Sequence, residues 1–132
     1  MKFIASSLLL FSLFSSYGQI SSDSEYYRRM DLGQQLMISG DYQAAQTEFL
    51  FVLENMDVIP TDLAYLFGRN SFHLASYKQS VNWLNKYLQL KGTKGQYYKE
   101  AVQYLQFSED KYMEQQRSLE ENKGNALISS KY

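Results

Sequence analysis

The chain has 132 residues, 45% of them hydrophobic and 20% charged, an ordinary globular composition and enough for one small domain. A formal charge of -1 excludes the gathered basic excess of a nucleic-acid surface. The absence of cysteine excludes disulfides, thiol catalysis, zinc-finger spacing and an acylated lipoprotein anchor.

From the N-terminus, Met1-Lys2 leads into an apolar run from Phe3 to Phe14, too short for a membrane span of about 20 residues. Ser16-Tyr17-Gly18 then sets small residues three and one before a cut, so residues 1–18 read as a signal peptide that leaves Gln19 first. Export without a lipid anchor implies, in a bacterium, a periplasmic or outer-membrane-associated protein. Residues 19–24 are expected as a linker.

Ser22-Asp23-Ser24-Glu25 has the form of a capping box and predicts a helix start. Tyr26, Met30, Gly33 and Leu36-Met37 follow at 3-4 spacing until Ser39-Gly40 supplies a left-handed stop. Asp41 caps a second helix with Tyr42, Ala45, Phe49, Val52-Leu53 and Met56 on one face. After a break at 57–60, Thr61 or Asp62 caps a third helix carrying Leu63, Leu66-Phe67, Asn70 and Leu74. A fourth begins near Ser76 with Tyr77, Val81, Leu84 and Tyr87-Leu88 inward, and Lys91-Gly92 ends it. Thr93-Lys94-Gly95-Gln96 is a second capping-box form, opening a long fifth helix over 94–121 with Tyr98, Ala101, Val102, Leu105, Tyr112 and Leu119 at 3-4 spacing. Its later half is polar, as expected of a helix that closes a stack and then projects into solvent.

Two segments repeat. Leu32-Gly33, Gly40-Asp41-Tyr42 and Ala45-x-x-x-Phe49 return as Phe67-Gly68, Ala75-Ser76-Tyr77 and Ser80-x-x-x-Leu84, which pairs Gly33 with Gly68 and Tyr42 with Tyr77. A period near this length marks stacked helix-turn-helix units. Mid-helix glycine costs about 1 kcal/mol relative to alanine, so two at matched places point to close helix contact.

Arg29-x-x-Leu32-Gly33-x-x-Leu36, then Ala45-x-x-x-Phe49 and a displaced Pro60, resemble the tetratricopeptide repeat, with a weaker second copy in Ala64-x-x-Phe67-Gly68-x-x-Ser71 and Ser80-x-x-x-Leu84. The family's tryptophan-like first position is absent from both copies. The resemblance implies an all-α fold over 25–121: two helix-turn-helix units in a short solenoid plus a C-terminal capping helix. It also implies a concave groove for a peptide or partner helix, lined by Tyr27, Met30, Gln34, Met37, Asp62, Tyr65, Arg69, Phe72 and His73; the alternative for each is a core contact between helices. Met30, Gln34 and Leu66 stand where some members clamp a C-terminal carboxylate with lysine and asparagine, which argues against that mode.

Residues 122–132 are expected as a flexible tail or the start of a missing domain. Asn122-Lys123-Gly124 and the Ile128-Ser129-Ser130-Lys131-Tyr132 stretch resemble the entry strand of WD-like β-propellers that follow tetratricopeptide segments in exported envelope proteins. Such proteins include type IX secretion components, and some end in an OmpA-type peptidoglycan-binding domain.

Chemistry has few carriers. His73 is the sole histidine, so a triad or metal site lacks its usual members, and the glycines form no phosphate loop. Carboxylate neighbours such as Glu109-Asp110 fit solvated helix faces. No cofactor, metal, nucleic acid or catalysis is expected. The expected function is protein binding or scaffolding at the cell envelope, with three rivals: a structural spacer for a further domain, an enzyme using His73 or a carboxylate, and a carrier of apolar ligands.

Overall fold

The computed structural model describes residues 20–131, with side-chain environments from Asp23 onward. The expected signal peptide and its cut lie outside the described residues. Five α-helices follow in order: α1 Ile20–Ile38, α2 Tyr42–Asn55, α3 Thr61–His73, α4 Tyr77–Lys91 and α5 Tyr98–Ser129, with a 3₁₀ turn Gly92–Lys94 before α5. The fold is all-α, and no strand occurs among the described residues. Helices α1–α2 and α3–α4 are two antiparallel hairpins; α3 lies against α2, and α5 closes the stack against α4, a packing compatible with a short solenoid.

Most of the core is what the 3-4 spacing selects, and Ala64 and Tyr65 join it. Met30, Met37, Ala45, Phe49, Val52, Leu63, Ala64, Tyr65, Leu66, Phe67, Leu84, Tyr87 and Ala101 are buried. The two glycines make the hairpins possible. A Cβ on Gly33 would lie 2.5 Å from Phe49 Cε1, and one on Gly68 would lie 2.8 Å from Leu84 Cγ and 3.2 Å from the Leu84 backbone nitrogen. In each hairpin, therefore, the large residue sixteen positions on occupies the space a side chain would need.

The hairpin turns repeat the same backbone pattern. The Asp41 N–H donates to Leu36 O and the Gly40 N–H to Met37 O; thirty-five residues later Ser76 N–H donates to Ser71 O and Ala75 N–H to Phe72 O. This is the Schellman stop. Gly40 takes φ 88° without penalty, whereas Ala75 adopts φ 58°, where its Cβ crowds the following carbonyl oxygen.

Several expected helix starts move. α1 already runs from Ile20, so most of the expected linker is helix, and Glu25 accepts from Arg28 and Arg29 rather than serving as the acidic half of a capping box. Those guanidinium groups hold the Glu25 carboxyl at about 2; its contribution is present above the ordinary carboxylate range near 4.5 and is lost as pH falls towards 2. Arg29 also reaches Glu48 at 3.0 Å and lies over the Phe51 ring at 3.9 Å, tying α1 to α2. Asp41 caps α2 as expected, its Oδ1 accepting from the Ala44 N–H at 3.2 Å. The residue before α3 is Pro60, not Thr61 or Asp62. Gln96 likewise does not cap α5: its Nε2 donates to Asp62 Oδ2 at 2.7 Å, and the helix starts at Tyr98.

The α4–α5 seam carries buried hydroxyls. Ser80 Oγ lies 2.7 Å from Gly68 O and 2.7 Å from Ser108 Oγ, which in turn lies 2.6 Å from Tyr104 O. Val102 and Leu119, expected inward, are 41% and 49% exposed, because no helix packs on the outer side of α5 or beyond its middle. Residues 122–129 of the expected turn and strand continue α5, and those described, to Lys131, are exposed. A strand needs a neighbour for its backbone groups, and none lies there.

Gly68→Ala is expected to lose about 1–3 kcal/mol in urea denaturation, because the clash with Leu84 outweighs the gain in helix propensity. Ala75→Gly is expected to gain about 0.5–1 kcal/mol in the same assay by relieving the left-handed alanine. Equal stabilities for all three proteins would refute the close-contact account.

Candidate functional site

Side chains at 27, 34 and 38 on α1 and at 62, 69 and 73 on α3 recur at the 35-residue offset; Gln96 before α5, and Glu100, Tyr104 and Phe107 on it, lie beside α3. One face of the stack is thus lined by α1, α3 and α5. Its α3–α5 half is knitted together by side chains.

Tyr65 is fully buried, its ring stacked on Tyr97 with centroids 4.2 Å apart and tilted against Tyr87 at 5.7 Å. Its hydroxyl donates to the Glu100 carboxylate and accepts from Arg69 Nη1 at 3.2 Å; Arg69 Nη1 also lies 3.6 Å from Glu100 Oε2. Burial, then the bond to Glu100, pushes the Tyr65 hydroxyl well above the usual tyrosine range, so it stays a neutral donor. Arg69 lies 5.3 Å from the Tyr104 ring centroid, and its Nε is buried without a hydrogen-bond partner.

One turn on, His73 stacks flat on Tyr42 of α2, centroids 4.4 Å apart and planes 4° apart, and its Nε2 lies 3.3 Å from the Tyr104 hydroxyl. Phe72 meets the His73 and Tyr104 rings edge-on at 5.4 Å each and Phe107 at 6.3 Å. Asn70 Nδ2 donates to Tyr42 O at 2.9 Å and to Gln46 Oε1 at 3.0 Å, pinning α3 to α2. The amide oxygen of Asn70 and the second carboxylate oxygen of Asp62, Oδ1 in each, are buried without partners.

The expected contact residues therefore divide. Met30, Met37 and Tyr65 are buried, at 8%, 3% and 0% exposure, and shape the face from beneath. They point inward because α2, and α5 for Tyr65, cover the side of the helix they occupy. Tyr27 is 53% exposed, and Gln34, Asp62, Arg69, Phe72 and His73 are half-buried. Arg69, Phe72 and His73 form one cluster; Tyr27 and Gln34 lie apart from it on α1. Sequence reasoning missed the α5 members Glu100, Tyr104 and Phe107. The near-35 spacing of Tyr65 to Glu100, of Arg69 to Tyr104 and of Phe72 to Phe107 was the available signal, hidden because no glycine or small-residue copy marks α5.

Among the described residues no group of three or more His, Cys, Asp or Glu side chains is placed to hold a metal ion, and no helix is long and apolar enough to cross a membrane. Comparisons with protein-family models, with curated proteins and with solved structures return no match.

Tyr65→Phe is expected to cost about 1–2 kcal/mol, the range for a charge-assisted hydrogen bond discounted for a Glu100 side chain that is 55% exposed. Glu100→Gln in the Tyr65→Phe background should cost less than in the native chain. Additive losses in that double-mutant cycle would show that the two side chains do not act together.

Proposed function

We propose that the chain is a non-catalytic protein-binding module of tetratricopeptide type, working in the exported space at a bacterial cell envelope. The observation that carries this reading is the α1–α3–α5 face. It sets half-buried Arg69, Phe72 and His73 around a network already held in place by Tyr65, Glu100 and Tyr104, with an exposed Tyr27 and half-buried Gln34 further along the face on α1. Preset aromatic and guanidinium groups bury area in a complex at little further entropic cost, which is why such residues dominate contact energies. The partner is another protein or peptide. Export follows from the apolar run at 3–14 and the small residues before Gln19.

A second reading has one observation in its favour. From Met113 to Ser129 α5 is a helix of about 25 Å whose residues are all exposed, a rod suited to spacing the stack from a further domain. On that reading the chain is a structural module of a larger envelope-anchoring or type IX secretion component.

A photo-crosslinking residue placed at Tyr27 or Gln34, in cells of the source organism, separates the two. Groove binding predicts a discrete adduct from both positions and none from Lys86 or Gln89, which are exposed on α4. It also predicts at least a tenfold loss of adduct on adding Arg69→Glu. Adducts from α4 as readily as from α1, or loss of function only when residues 113–132 are removed, would favour the spacer.

A further inference from the structure

His73 is the one histidine of the chain, and it lies where three helices meet through side chains. Tyr42 of α2 covers its ring, Phe72 of α3 and Tyr104 of α5 meet its edge, and Nε2 faces the Tyr104 hydroxyl at 3.3 Å. The charged group acting on the ring is Arg69, one helical turn before it. The Glu100 carboxylate is taken up by Tyr65 and Arg69.

Hydrogen-bond donors and acceptors then decide which form of the ring fits. In the tautomer with its proton on Nδ1, neutral His73 offers Nε2 as the acceptor of the Tyr104 hydroxyl proton. A protonated ring carries a donor on Nε2 as well. The Tyr104 proton then loses its acceptor, and two cations, imidazolium and guanidinium, stand around one tyrosine with no free carboxylate between them. Tyr104 sits on the part of α5 that packs against α3 and α4, so the contact that suffers is the one holding α5 to the stack.

We propose that His73 is an acid-sensitive latch: neutral, it holds Tyr104 and with it the first half of α5 against α3; protonated, it lets that half of α5 loosen and so unmakes the α3–α5 side of the binding face. As regulation of partner binding this rests on the groove reading above, whereas the latch is measured in the unliganded chain, so the two fail separately.

Burial, reinforced by Arg69, lowers the His73 titration point below the ordinary 6.5. The sign of the linkage follows. When α5 is released the ring takes up a proton more readily than when α5 is docked. Docking therefore weakens as pH falls from above 6.5 through the docked-state titration point, and levels off below it.

The sole histidine gives one unambiguous imidazole resonance for NMR titration, and amide hydrogen exchange reads the docking of α5. The resonance should titrate below 6.5. Across that transition, amides of residues 98–108 should exchange faster by about tenfold for each pH unit by which it does so, after correction for the intrinsic pH dependence of exchange. His73→Phe keeps a flat ring on Tyr42 and should reduce the change to less than about twofold. Tyr104→Phe removes the hydroxyl proton that the neutral ring accepts and should raise the titration point, while burial and Arg69 still hold it below 6.5. A titration point at or above 6.5, or the same acid-induced exchange in the native chain and His73→Phe, would overturn the latch.

Discussion

The fold depends on two places where a helix backbone meets a large side chain with nothing between them. Phe49 lies against the bare backbone at Gly33 and Leu84 against that at Gly68, and these contacts bring each hairpin close enough for the surrounding apolar residues to close over them. Dispersion falls off steeply with separation, so a gap of one methyl group at either crossing would forfeit packing along the whole helix pair. The matching Schellman turns at Gly40 and Ala75 then return the chain through the same pair of backbone hydrogen bonds each time. Two like hairpins, placed side by side, leave α3 shared between its own partner and the helix before it.

Most of this order was legible in the residues. The 3-4 spacing named the inward faces of α1 to α4, and the paired glycines foretold the crossings. What eluded the reading were the ends. A capping box is recognised by residue type, but Glu25 and Gln96 each had a stronger acceptor or donor within reach, two arginines for one and Asp62 for the other. Position on a periodic face also says nothing of what covers it. Val102 and Leu119 keep the period yet remain open, since α5 is the last helix and its outer side meets no neighbour.

The candidate site was only partly legible for a related reason. Placing Tyr27, Gln34, Arg69 and His73 on one face needed only helical phase. Deciding that Tyr65 is sealed while Tyr27 is open needed knowledge of α5, whose register carries no repeat motif. The polar members of the face became informative only as pairs. Glu100 alone reads as a solvated surface carboxylate; with Tyr65 and Arg69 it fixes the direction of a guanidinium that would otherwise swing freely. Burial of the neighbouring imidazole, and after it that fixed cation, lower the titration point of His73.

The serine seam between α4 and α5 holds three oxygen-to-oxygen contacts, Ser80 to Gly68, Ser80 to Ser108 and Ser108 to Tyr104, but only two hydroxyl hydrogens to fill them. A carbonyl cannot supply a third. At any instant one contact is therefore bare: either both hydroxyls point at carbonyls and the two serines face each other lone pair to lone pair, or one turns to its neighbour and leaves a carbonyl unserved. The oxygen positions are set by the helices, and the two arrangements in which one serine donates to the other avoid the lone-pair contact. The seam thus admits two proton arrangements on one set of oxygen positions, differing in whether Gly68 O or Tyr104 O goes without a hydroxyl donor.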